Sequence, residues 1–206
     1  MENKEYLEHL KGIKGLMEER IKFKAISGLS GVFAGVYALI GAWLAYRLIY
    51  DSPEIIYDDI RQASPSVYLN TLVLIAVGTL VSAVGTGLFF SSRNARKNQI
   101  QLWNKAFIKL IINFSIPMAM GGIFILALLW RGYFSLVSSS CLIFYGLGLI
   151  NASNFTFSDI KALGIATLVT GSISLFFPGY GLYFWAFGFG ILHIIYGIIM
   201  YIKYEK

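Results

Sequence analysis

Apolar residues fall along this chain in six blocks, at about 25–49, 67–90, 106–130, 133–150, 160–177 and 180–202, parted by short polar stretches. Blocks of that length predict helices that cross a bilayer. The first, Ala25 to Tyr50, is uncharged for 22 residues before Arg47. Within it Gly28, Gly31, Gly35, Ala38 and Ala42 recur at alternating three- and four-residue steps. Small residues on one stripe let helix backbones approach closely, which is how helices associate where lipid is as apolar as a side chain. These five are the predicted helix-packing face, open to a neighbouring helix or to a second copy in a homo-oligomer.

Ahead of this block, residues 3–24 place Tyr6, Leu10, Ile13, Met17 and Ile21 on one face among charged residues. The pattern predicts an amphipathic cytoplasmic helix over 1–24, which either lies on the membrane face or serves as a handle for a cytoplasmic protein partner. His9 belongs to its solvated side. Between the first two blocks, Asp51, Glu54, Asp58 and Asp59 face only Arg61. Without the spacing of a cation-binding loop they read as a solvated short helix, and Ser64-Pro65 opens the next span.

The second block repeats a small stripe in Thr71, Gly78, Ser82 and Gly85, and is followed by Arg93, Arg96, Lys97 and Lys105 with no acid. In the third, Pro117 removes the backbone donor that would serve the Asn113 carbonyl, so a kink or local unwinding is expected between Asn113 and Gly122. Arg131-Gly132 is too short a link for anything but an antiparallel return. In the polar turn after the fourth block, Thr156 or Ser158 is the expected N-cap of the fifth. Pro178-Gly179 reverses the chain again, and 203–206 form a tail. Lys and Arg on alternate sides number 14 against three, which places the 14, both termini and the Asn151 and Asn154 triplets in the cytoplasm. The expected fold is all-α: a polytopic inner (plasma) membrane protein of six transmembrane helices in three hairpins.

Composition agrees. Of 206 residues 57% are hydrophobic and 14% charged, against roughly a quarter charged in soluble domains. The net charge of +6 sits between apolar blocks, which points to the lipid bilayer and its headgroups as partner and not to nucleic acid. A single cysteine, Cys141, excludes an internal disulfide. No Asp or Glu lies inside the blocks apart from Asp159 at a mouth, so paired carboxylates for acid–base catalysis are missing. No catalytic, cofactor or metal residue is assigned, and the chain reads as non-enzymatic.

The intramembrane polar candidates are therefore few. His193 shares a face with Ala186, Gly190 and Gly197, and histidine is the side chain that changes charge near neutral pH. Read structurally, it is a neutral ring bonded to Tyr145, Tyr37, Asn113 or a serine. Asn113 and Pro117, with Gly121 and Gly122, form a second candidate, since broken helices can open carbonyls onto a cavity. The four tryptophans read as an interfacial belt.

LIFYGLGLI at 142–150 and LHIIYGIIM at 192–200 share a Tyr-Gly step, Tyr145-Gly146 and Tyr196-Gly197, which suggests hairpins grown by repetition. The fifth and sixth blocks, with Gly164, Gly171, Pro178, Gly188 or Gly190, and Gly197, resemble the hairpin repeat of the HdeD-like acid-resistance membrane proteins. That resemblance implies helical-hairpin architecture and a stress-linked role. The expected function is a non-enzymatic membrane protein of the stress-response or sensing kind. The alternative is a small transporter or channel with a polar site at His193 and the Pro117 break.

Overall fold

The computed structural model describes residues 23, 26–50, 65–99, 101 and 103–206, with the side chains of 49–50 and 65–69 excepted. Apart from Phe23 and the start of the first block, the expected helix over 1–24 and the acidic stretch 51–64 lie outside the described residues. Six helices are present among them: α1 Gly28–Tyr50, α2 Pro65–Lys97, α3 Lys105–Arg131, α4 Val137–Ala152, α5 Asp159–Ser174 and α6 Gly181–Tyr204. Five are long and apolar enough to cross a membrane, α4 together with its flanking 3-10 turns; α5, with 16 residues, falls short.

The boundaries follow local chemistry. α2 runs past the end of its apolar block, because Arg96 and Lys97 in its last turn complement the partial negative charge of a helix C-terminus. α3 begins at Asn104, whose side chain accepts from the Phe107 N–H. It ends at Gly132, φ 79°, where Tyr133 N–H bonds Leu128 O at 2.9 Å and Gly132 N–H bonds Leu129 O at 3.2 Å. This left-handed closure reverses the chain within a few residues, as the short link requires. Pro178-Gly179, with Gly179 at φ 92° and Tyr180 N–H on Phe177 O, turns it again.

Small residues decide which helices touch. α1 packs along α6 and α2, α3 along α4, α4 along α5, and α6 also meets α4 and α5. A Cβ added at Gly35 would lie 2.6 Å from Gly190 O, and one at Gly197 would lie 2.6 Å from Gly28 O. The α1 stripe therefore faces α6 of the same chain, Ala38 and Ala42 are buried, and that face is closed to a second copy. Gly146 and Gly164 make the equivalent crossing of α4 and α5, each blocking a Cβ on the other at 2.7 and 2.9 Å. Hydroxyls in the helices mostly bond the carbonyl four residues back, as Thr79, Ser140, Thr167 and Thr170 do, so they add no exposed polarity.

All six helices share an end. Phe23 lies buried among Ala95 of α2 and Ala106 and Phe107 of α3. Its N–H bonds Phe155 O at 2.8 Å and its carbonyl accepts from Thr156 Oγ1 at 2.7 Å. Thr156 thus anchors the entry to α1, while Ser158 precedes α5 without a side-chain cap bond. At the same end Asp159 takes Lys203 Nζ and Tyr204 Oη, and Glu205 takes Ser27 Oγ at 3.0 Å and the Gly28 N–H. A carboxylate on the first N–H groups of α1 satisfies donors that the helix itself leaves open.

Candidate functional site

Midway along α6 the sequence Ala186-Phe187-Gly188-Phe189-Gly190-Ile191 winds as a π segment, in which Leu192 N–H reaches Phe187 O five residues back. Two glycines in this wide turn let neighbours close in: Gly190 meets Leu39 of α1 and Gly188 meets Leu142 of α4. Such wide turns inside α-helices recur at functional positions. Here the turn sets His193 over the carbonyl of Gly188.

His193 is 5% exposed. Its Nδ1 lies 2.9 Å from Gly188 O, and its Nε2 lies 2.7 Å from Tyr145 Oη on α4. A carbonyl oxygen can only accept, so Nδ1 carries a proton; in the neutral ring Nε2 then accepts from the Tyr145 hydroxyl. Of the four partners open to it from sequence, the ring takes Tyr145. Phe189 stacks on the imidazole and packs tilted against Tyr145, and Phe114 of α3 meets Tyr145 edge-on. The result is a polar pair inside an aromatic sleeve, joining α4 to α6. Tyr196, one turn further along α6, has a buried hydroxyl with no hydrogen-bond partner among the described residues.

Asn113 and Pro117 are placed elsewhere. α3 runs unbroken through Pro117, so the expected unwinding does not occur. The reason is visible on α4: Asn151 Nδ2 donates to Asn113 O at 3.2 Å, supplying a donor to the carbonyl that Pro117 leaves without one. The Asn113 side chain itself turns back to Lys109 O. Phe114, edge-on to Tyr145, brings α3 to the His193 pair. Ser139, from the serine run, is buried and donates to Ser174 on α5 at 2.9 Å. It ties α4 to α5 and does not join His193.

Among the described residues no three of His, Cys, Asp and Glu come together as metal ligands. A shallow depression lined by Thr170, Ile173, Tyr183, Phe184 and Phe187 lies between α5 and α6 and includes none of the polar candidates. What sequence reasoning missed are the contacts at the shared end: Phe23 on Phe155 and Thr156, and Glu205 on the start of α1. A carboxylate in a lysine-bearing tail was the signal for the second; the first has none. Comparison with family models, curated proteins and solved structures gives no match.

Proposed function

We propose that this chain is a non-enzymatic, six-span protein of the inner (plasma) membrane with both termini in the cytoplasm. The bundle serves as a rigid platform for its charged N-terminal segment, in a sensing or stress-response role. The observation that carries this reading is the anchoring of Phe23. Both of its backbone groups and its ring are held by the end of the bundle, so the chain passes into α1 from a point fixed on the other helices. Three features support the topology. Every helix reaches the shared end, that end carries eight of the ten Lys and Arg among the described residues, and α5 extends from Asp159 beside Lys203 to Ser174 beside Ser139 near the far end of α4. The stress-linked element rests on the hairpin resemblance alone.

The second reading is a small transporter or channel using the His193 region. One observation favours it: the unpaired buried hydroxyl of Tyr196 marks a place where a water or ligand would gain a bond.

Complementation separates the two. In cells that need this protein to survive acid or envelope stress, deletion of residues 2–22 abolishes rescue, while His193→Gln and Asn113→Leu retain it. Loss of rescue by both point variants, in protein that still inserts, with the deletion active, overturns the platform reading in favour of transport.

A further inference from the structure

The basic end of the bundle is divided. Around α5, α6 and the start of α1, cations and carboxylates are mixed: Lys203 pairs with Asp159, and Glu205 sits beside Lys206. Around the end of α2 and the start of α3 they are not. Arg93, Arg96, Lys97, Lys105 and Lys109 stand exposed, the stretch 91–109 contains no acid, and none of the five is in an ion pair among the described residues. The first turn of α3 holds Lys105 and no acid, a sign opposite to the one a helix N-terminus favours.

Above this corner α2 and α3 part company. They are joined through Phe23, which touches Ala95 on one and Ala106 and Phe107 on the other. From there α2 follows α1, with Phe90 stacked on Phe33 at 5.3 Å and Thr79 against Gly41, while α3 follows α4, with Phe114 against Gly148 and Phe144 against Gly121. α6 lies between α1 and α4, and among the described residues α2 has no extensive partner but α1. The two helices leave long apolar flanks uncovered, among them Leu74, Val81 and Phe89 on α2 and Ile116 and Ile123 on α3. Trp103, 72% exposed in the link between them, is the tryptophan at this end of the bundle.

We propose that this corner is a binding site for an anionic phospholipid. Its headgroup phosphate lies among the five cations, and its acyl chains run along the flanks of α2 and α3 that diverge above them. Charge complementarity selects the occupant. A free phosphate would leave the apolar flanks bare, a zwitterionic lipid would leave the positive charge unbalanced, and an anionic lipid meets both. The site rests on the membrane reading of the chain and is independent of the platform role given to residues 1–22.

The experiment is native mass spectrometry of the full chain in detergent, titrated with phosphatidylglycerol or phosphatidylcholine of the same acyl chains. Phosphatidylglycerol should be retained preferentially. Arg96→Gln/Lys97→Gln should weaken its retention roughly 20- to 30-fold, at about five-fold per cation near a phosphate. Lys161→Gln/Lys206→Gln removes the same charge from the mixed corner and should leave retention unchanged. Equal retention of the two lipids overturns the site while the membrane reading stands. Equal loss in both variant pairs also overturns it, since attraction would then follow total charge. Failure of the chain to fractionate with membranes overturns the membrane reading itself.

Discussion

The Tyr145 hydroxyl meets His193 Nε2 at 2.7 Å, so the imidazole bridges a carbonyl of its own helix and a hydroxyl of α4. Removing the hydroxyl leaves a buried acceptor unpaired. Tyr145→Phe should therefore destabilise the bundle by about 1–3 kcal/mol in detergent thermal melts. Tyr196→Phe removes a hydroxyl that has no partner among the described residues and should leave the melting temperature unchanged or slightly raised. A loss at Tyr196 as large as that at Tyr145 would show that Tyr196 is bonded after all, through a water.

The carbonyl of Asn113 supports a double-mutant cycle. Asn151→Ala should cost about 1 kcal/mol, while Pro117→Ala restores the missing N–H within α3. The two effects should not add: with Pro117→Ala in place, Asn151→Ala costs much less. Additivity within about 0.3 kcal/mol would mean that the 3.2 Å contact carries no energy.

Glycines at crossings and glycines facing open space should behave oppositely. Gly146→Ala pushes a methyl against Gly164 O and Leu168 N at 2.7 and 2.8 Å and should cost about 1–3 kcal/mol. Gly78→Ala meets nothing within 4 Å and should be neutral or stabilising, by up to about 1 kcal/mol of helix propensity. Paired melts of the two variants test this directly.

Phe23→Ala empties the site between α2 and α3. A cost of about 3–5 kcal/mol is expected, and limited proteolysis just ahead of α1 should accelerate. Unchanged cleavage would separate the N-terminal segment from the bundle and weaken the platform reading.

Asp159, at the mouth of the bundle, is pushed up by burial, but hydrogen bonds from Tyr204 and Lys203 outweigh this and hold its carboxyl below the usual carboxylate range. A depressed folded-state pKa stabilises the fold above the ordinary carboxylate pKa, and that stability is lost as pH falls through the folded value. Stability should thus be flat near neutral pH and decline below about pH 4. Asp159→Asn should remove part of the decline, a small part because Lys203 is half exposed.

Much of this was legible in one dimension. Block lengths predicted the helices, the 28–31–35 steps predicted a close crossing on α1, and Arg131-Gly132 predicted the turn it makes. In the polar region the residue types were legible, and Tyr145 stood among four partners for His193, but across 48 positions the sequence could not choose between them, and Asn113 and Pro117 belong to a different contact. Pro117 was read as a break because a proline in sequence is only a lost donor. The donor that replaces it comes from Asn151 on another helix.

By itself, then, the sequence determined the apolar blocks, the turns between them, the charge asymmetry of their ends and the small faces along which backbones approach. Those are properties of neighbouring residues, set by side-chain volume, charge and backbone freedom. The tertiary structure decided which small face meets which: α1 with α6, α4 with α5. It also decided which polar group answers which: Tyr145 the imidazole, Asn151 the freed carbonyl, Glu205 the start of α1. Each of these pairings depends on helices far apart in the chain lying side by side, and within apolar blocks of similar composition only close packing in three dimensions selects the neighbour.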